Sequence, residues 1–316
     1  MKEITRDSAT KWTEKNLPDL TGKTIIITGA NSGTGFAAAK FMAARGATII
    51  MACRNPEKAK VAVQSIKNGQ SDAKLDFIQL DLASLASIKE FSTEFKKKYS
   101  NLDILINNAG MSQTPDIKTE DGFEMQMGVN HLGHFALTGQ LMDCLVTTKD
   151  SRVVTMSSMN HEQGQMNFGN LFLEGEYHQM RAYEQSKLAN LLFSYELSRR
   201  LALAGVGVES IAAHPGFVKS NIMKSNDYTE RSFGFTLMFN IFDLLLAMTP
   251  NMGSLGIMRA ATDRTLKNGD YVGPTKMGGF RGLPKLLTSS EASNNEKDAQ
   301  KLWEMSEELT GITYKF

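Results

Sequence analysis

The chain has 316 residues, 41% of them hydrophobic and 22% charged, proportions that exclude a disordered or fibrous protein. Lysine plus arginine (35) nearly balance aspartate plus glutamate (34), so no global field exists to hold a nucleic acid backbone. Two cysteines, Cys53 and Cys144, are too few for a disulfide framework, and the opening MKEITRDSATKW lacks the apolar stretch of a secretory signal, so a soluble cytoplasmic protein is expected.

Residues 1–20 are polar and aperiodic as far as Leu17-Pro18-Asp19-Leu20, and read as an N-terminal extension, a tail or short helix laid on the surface. The β-branched run 24–28 predicts a strand. A Gly-rich turn follows, then a helix carrying Phe36, Ala37, Phe41 and Met42 that ends near Gly46. Next come a strand over 47–52 and a helix over 56–67, with Pro56 at a permitted first-turn position. The pattern continues with strand 75–80, helix 84–98, strand 104–107 and a helix over 121–146. Strand 153–157, helix 181–204 and strand 206–213 complete it, and a last helix near 298–309 carries Leu302, Trp303, Met305, Ser306 and Leu309.

Strand and helix thus alternate at intervals of about thirty residues, the period of βαβ units with a parallel sheet. The strands are unbroken apolar runs, such as Ile25-Ile26-Ile27 and Ile104-Leu105-Ile106, as expected where both faces are covered. No linker separates two such blocks. The fold class is α/β: a single doubly wound domain, 21–275, with a mostly parallel sheet. It includes a lid segment at 220–250, and a C-terminal appendage, 276–316, bears the last helix.

The turn after the first strand reads Thr28-Gly29-Ala30-Asn31-Ser32-Gly33-Thr34-Gly35. Glycines there let the backbone turn sharply and approach a pyrophosphate at the positive end of the next helix. The second strand ends at Cys53-Arg54, where an enzyme using NAD carries an acid for the ribose 2′-hydroxyl. A neutral Cys53 removes repulsion against a 2′-phosphate, and the Arg54 guanidinium can fork onto its oxygens, with Asn55 beside it and Lys58 one turn into the helix. NADP(H) is the expected cofactor.

Tyr183 and Lys187 stand four apart, on one face of a helix. A nearby cation favours the phenolate, which would make the phenol a usable general acid or base. Tyr177 with Arg181 has the same spacing, but a guanidinium is a poor substitute for a compact ammonium, so Tyr183 is preferred.

Together these motifs resemble the short-chain dehydrogenases/reductases, a family of Rossmann fold. The family pattern T-G-x3-G-x-G matches 28–35, N-N-A-G matches Asn107 to Gly110, a serine pair matches Ser157-Ser158, Y-x3-K matches Tyr183 and Lys187, and P-G matches Pro215-Gly216. They occur in the family's order over residues 21 to 275. Locally, the sequences MACRN (51–55), VNHLGHF (129–135) and HPG (214–216) resemble the retinol-dehydrogenase-like branch, and light-dependent protochlorophyllide reductases share several of these features.

The resemblance implies an NADP-dependent oxidoreductase interconverting a carbonyl and an alcohol on an apolar substrate. It implies that Ser158 bonds the substrate carbonyl, Tyr183 exchanges the proton, Lys187 orients the ribose and tunes Tyr183, and Asn130 holds a water in the proton relay. Asp81 and Leu82 would contact adenine, Asn107, Ala109 and Gly110 would line the adenosine side, and Pro215, Gly216, Val218 and Ser220 the nicotinamide side. Thr34 departs from a usual branched aliphatic, which should alter packing more than chemistry. The 24 residues 159–182 form an insertion expected to contribute a pocket wall.

Two other readings compete: a C=C reductase like the protochlorophyllide enzymes, and a silent NADP-sensing protein. A sensor needs no proton donor, and Asn130, Ser158, Tyr183 and Lys187 are all present. The five histidines have no spacing that closes a metal site, so no metal is expected. Met156, Met159, Met166 and Met180 flank the proposed site as soft walls. Residues 233–248 are almost wholly apolar, broken by Thr236, Asn240 and Asp243, and read as a lid helix over an apolar substrate. The stretch is too short for a membrane span, which leaves peripheral membrane contact open. Monomer and homodimer are both compatible with the sequence.

Overall fold

The computed structural model describes residues 2–4, 7, 11–218 and 247–316. Residues 220–246 of the expected lid, Ser220 among them, lie outside the described residues. Eight strands form one sheet: β1 (Thr24–Thr28), β2 (Thr48–Cys53), β3 (Lys74–Gln79), β4 (Ile104–Asn107), β5 (Arg152–Met156), β6 (Glu209–Ala213), β7 (Tyr271–Lys276) and β8 (Arg281–Leu287). Their order is β3-β2-β1-β4-β5-β6-β7-β8. Every neighbouring pair is parallel except β7 and β8. The expected doubly wound α/β domain is what the chain forms.

Alternation along the strands explains the two layers. Ile25 and Ile27, Ile49 and Met51, and Ile104 and Ile106 enter one apolar cluster with α1 (Gly33–Ala43), α2 (Pro56–Gly69) and α8 (Pro250–Thr262). Ile26, Ile50 and Leu105 face the other cluster, with α3 (Leu85–Lys98), α5 (Gly133–Gln140), α7 (Gln179–Ala204) and α9 (Glu296–Thr310). Strands fully buried on both faces cannot be polar on either, hence the unbroken apolar runs. The order reverses between β1 and β4, and the crevice at such a switch point is where α/β sheets bind ligands.

Three segments depart from the sequence reading. The helix expected over 121–146 is broken. Glu124 caps a helical turn, α4 (Met125–Met127), by accepting the Gln126 and Met127 amides at 2.8 and 2.7 Å. A π-helical turn (Gly128–Leu132) follows, then α5 and α6 (Met142–Val146). Glycines permit the close packing: a Cβ on Gly133 would fall 2.5 Å from Leu82 O, and one on Gly128 2.5 Å from Thr119 Cγ2. The sheet also continues past β6, with α8, β7 and β8 unforeseen. Finally, the N-terminal extension does not merely lie on the surface. Trp12, Leu17 and Leu20 are buried, and Glu3 pairs with Leu287 at the β8 edge.

Candidate active site

The turn between β1 and α1 is shaped by glycine. Gly29 and Gly33 have φ of +68° and +57°, a region that penalises side chains. A Cβ on Gly35 would lie 2.5 Å from Asn108 Nδ2 and 2.7 Å from Gly29 O, so only glycine lets α1 start this close. Ser32, the N-cap of α1, makes no side-chain capping bond among the described residues, which leaves the first amides of the helix facing outward. Such an N-terminus favours an anion.

Beside the turn opens a cleft of about 780 Å³. Gly29, Asn31, Ser32, Arg54, Asn55, Lys58, Asp81, Leu82, Ala109 and Gly110 all line it, as expected from the sequence. Asn55 caps α2 by accepting the Lys58 amide at 2.9 Å, so Arg54, Lys58 and a second helix N-terminus meet at one end. The neutral Cys53 lies under this wall, 2% exposed, and burial pushes its thiol up to about 11. It is no reactive nucleophile. A dinucleotide fits this cradle: Cβ-free approach at Gly29 and Gly35, outward amides at α1, and cations at α2.

Asn107 does not line the cleft. Its side chain is buried, donates to Thr138 Oγ1 at 2.9 Å, and leaves Oδ1 without a partner among the described residues. Gly33, Thr34 and Gly35 sit behind the lining, shaping the turn. The neighbouring Asn108, which the sequence reading passed over, ties the two loops together. It donates from Nδ2 to Thr28 O at 2.8 Å and accepts the Thr34 hydroxyl at 3.0 Å. Thr34 is therefore more than a packing change, since a branched aliphatic could not make that bond.

Beyond Gly110 the remaining groups converge. Ser158 caps a short 3₁₀ turn after β5; its hydroxyl donates to Asn160 Oδ1 at 3.1 Å and stands beside the Tyr183 phenol. Lys187 Nζ lies 5.8 Å from the Tyr183 ring centroid and donates to Met156 O at 3.3 Å. A Cβ on Gly110 would stand 3.2 Å from that ammonium and 3.1 Å from Asn130 Oδ1, so the end of the cleft reaches both residues. Asn130 sits in the π-helical turn. It donates to Met111 O and Ser186 Oγ at 3.0 and 2.9 Å, and accepts the Met111 amide at 2.9 Å. Ser158, Tyr183, Lys187 and Asn130 are thus brought together.

One electrostatic expectation is corrected. The cation was expected to lower Tyr183, yet burial raises it, and the opposing influence is the neighbouring Ser158 hydroxyl. The ammonium is turned to Met156 O, and its own burial pushes it down to about 8. The competing pair also resolves. Tyr177 donates to Thr114 O at 2.9 Å and receives Gln126 Nε2 at 3.1 Å, which stitches the 159–182 insertion to the loop after β4. In the same wall Gln113 Nε2 contacts Met180 Sδ at 3.4 Å, three residues before Tyr183.

After β6, Pro215-Gly216 turns at a Gly216 φ of +74°, and His214 Nδ1 accepts the Gly216 amide at 3.3 Å. Val218 pairs with Met248 in a parallel bridge. Gly253 of α8 faces Thr34 and Val218, so a β-carbon there would collide with both. Pro215, Gly216 and Val218 are therefore placed at the carboxyl end of β6, next to α8. Among the described residues, no helix is long and apolar enough to cross a membrane.

A doubly wound sheet with a glycine turn at its switch point is the architecture of dinucleotide-dependent oxidoreductases. Residues 23–231 match the family model described as short chain dehydrogenase, and the chain belongs to that family. It is 40% identical to human (Homo sapiens) retinol dehydrogenase 13 over 294 residues, covering 92% of this chain and 85% of that protein. It is 38% identical to retinol dehydrogenase 14 of Mus musculus over 303 residues, covering 92% and 86%. The sequence therefore falls in the retinol-dehydrogenase-like branch, and a carbonyl/alcohol oxidoreductase using a nicotinamide cofactor is the class this supports. An uncharacterized protein from Mycobacterium paratuberculosis superposes with a TM-score of 0.79 at 36% identity, over 97% of this chain and 100% of that one. The RhlG/NADP active-site complex of Pseudomonas aeruginosa shares the fold, with a TM-score of 0.63 at 23% identity, over 83% of this chain and 97% of that one.

Proposed function

We propose that the protein is an NADP(H)-dependent oxidoreductase that interconverts an aldehyde or ketone and the corresponding alcohol on an apolar substrate, with Tyr183 passing the proton. The observation that carries this is the convergence of Ser158, Tyr183, Lys187 and Asn130 at the end of a dinucleotide-sized cleft, with Lys187 Nζ 5.8 Å from the Tyr183 ring centroid. Preference for the phosphorylated cofactor rests on Arg54, Lys58 and the α2 N-terminus, with Cys53 where an acid would stand. Apolar specificity is supported by Met111 and Met180 near the site and by the names of the relatives, which are retinol dehydrogenases.

When bound, the nicotinamide supplies or accepts the hydride. The protein's part is proton handling and orientation. Ser158 presents a hydroxyl that can donate to a carbonyl oxygen beside the phenol. Tyr183, raised by burial, keeps its proton until that oxygen develops negative charge, which suits a general acid. Lys187 brings a buried positive charge within reach of the same region, and Asn130 fixes the chain at Met111 that forms the wall opposite. Replacing Tyr183 by Phe removes one hydroxyl and little else. Turnover of NADPH with retinal or a long aliphatic aldehyde should vanish while NADPH affinity stays within about threefold of wild type. Retention of a tenth or more of the activity refutes Tyr183 as the acid.

A further inference from the structure

Two buried imidazoles stand behind the reacting groups. His134, on α5, places Nδ1 3.0 Å from Asn130 O and Nε2 2.9 Å from Thr28 Oγ1 at the end of β1. His161, in the 3₁₀ turn after Ser158, places Nδ1 2.6 Å from Ser158 O and Nε2 3.2 Å from the backbone amide of Ser290, beyond β8. They are 2% and 0% exposed. Neither lines the cleft.

Their partners determine the tautomers. The Ser290 amide can only donate, so Nε2 of His161 accepts and the ring proton sits on Nδ1, aimed at Ser158 O. Thr28 Oγ1 already receives the Asn108 and Ala109 amides, each at 2.9 Å, which occupies both lone pairs. Its own proton has His134 Nε2 at 2.9 Å and Ile106 O at 3.4 Å, and the nearer acceptor takes it. His134 therefore also carries its proton on Nδ1, aimed at Asn130 O. Burial lowers both rings, His134 to about 4, so both are neutral near pH 7.

We propose that His134 and His161 are positioning residues for the reaction, each holding through Nδ1–H the main-chain carbonyl of one active-site residue and through Nε2 tying it to a distant element. The carbonyls are those of Asn130 and Ser158, and the anchors are Thr28 and Ser290. The proposal rests on the reading of Ser158, Tyr183, Lys187 and Asn130 as the reacting set. Asn130 needs the support because its π-helical turn shifts the ladder by one residue, as the Gly133 amide bonding to Gly128 O shows. Ser158 needs it because rotation of its peptide would swing the hydroxyl away from Tyr183. Misplacement of a reacting group by about 1 Å can lower a rate by about a hundredfold.

Asparagine and glutamine separate the two nitrogens. An asparagine amide reaches where Nδ1 stood, and a glutamine amide where Nε2 stood. His161→Asn and His134→Asn should keep at least a third of kcat. His161→Gln and His134→Gln should lower kcat about ten- to a hundredfold, with KM for the carbonyl and Kd for NADPH within twofold of wild type. A purely structural tie would reverse that order, or make kcat follow the loss in Tm, and either result overturns the proposal. Nitrogen-15 NMR of histidine-labelled wild-type protein is a second arm that needs no variant to fold. It should show the Nδ1–H tautomer for both rings, and an Nε2–H tautomer at either one sinks its half of the proposal. If Tyr183→Phe proves active, the reading of the reacting set fails while the tautomer result stands or falls by itself.

Discussion

Asp7 and Arg259 form a two-bond ion pair inside the protein, with Oδ1 2.6 Å from Nη2 and Oδ2 2.9 Å from Nη1. Their side chains are 0% and 1% exposed. Arg259 is further held by Asp263 and Pro284 O, and Asp7 accepts the Leu286 amide, so one N-terminal carboxylate joins α8 to β8. Arg259 keeps Asp263 and Pro284 O when Asp7 is removed, so the loss is that of a charge-assisted contact, about 1.5–3 kcal/mol, rather than that of a stranded charge. Asp7→Ala should lower urea-unfolding stability by that amount. A loss under about 1 kcal/mol would mean that the N-terminal segment is detached in solution.

Lys187 pays for its position in stability. Burial brings its ammonium from an ordinary 10.5 to about 8, with the side chain 5% exposed. At about 1.36 kcal/mol per unit, holding it charged below pH 8 costs roughly 2–4 kcal/mol. The folded value is the lower one, so the penalty is full below pH 8 and fades as pH rises toward 10.5. Met156 O would keep Asn190 Nδ2 as a donor at 2.9 Å if the ammonium were removed. Lys187→Met should therefore be inactive yet more stable at pH 7, with the gain shrinking by pH 9.5. Equal stability at both pH values would contradict a buried charge.

Acid should unfold the protein early. Burial, the largest cause in each case, lowers His131 to about 3, His134 to about 4 and His214 to about 3. An unfolded histidine titrates near 6.5, so between pH 6.5 and 4 the unfolded chain binds about three more protons at these sites. Stability is then unaffected above pH 6.5 and falls by about 4 kcal/mol per pH unit below it. Urea midpoints measured from pH 7.5 down to 4.5 should drop steeply under pH 6. A flat profile to pH 5 would mean these rings are hydrated.

Most of the sheet was legible because strands buried on both faces must be apolar throughout, and 24–28 and 104–107 were read with the observed bounds. The region after 213 was not. Pro284 stands on the edge strand β8 and Pro274 lies past the residues of β7 that pair with β6, places where a proline is tolerated, but both are a poor strand signal. The 121–146 segment was overextended because its helix-forming residues conceal a bulge that arises from packing against Leu82 and Thr119. Among the site residues, those in short motifs could be found by spacing. Asn108 and His134 lie within such motifs and His161 near one, but their roles could not be read there, because the anchoring partners Thr34, Thr28 and Ser290 lie 74 to 129 residues away in sequence. The direction of the Tyr183 shift was missed for a related reason: helical spacing aligns Lys187 with Tyr183, but Met156 O decides where the ammonium points.

Cofactor choice gives the remaining prediction. Arg54 follows the end of β2 and lines the cleft, and Gln79 Nε2 bonds its carbonyl at 3.3 Å, which fixes the backbone from which the guanidinium reaches. Arg54 is exposed, so its bond to a phosphate would compete with water, and a charge-assisted contact of that kind is worth about 1.5–3 kcal/mol. That corresponds to about ten- to a hundredfold in affinity. Arg54→Ala should weaken NADPH by this factor and leave NADH within about twofold, because the contact exists only when the ribose carries a 2′-phosphate. The wild-type preference should also shrink with added salt, since the site faces solvent. Fluorescence titration with both cofactors at two ionic strengths measures all of this. Equal wild-type affinities for NADPH and NADH would remove Arg54 from cofactor selection altogether.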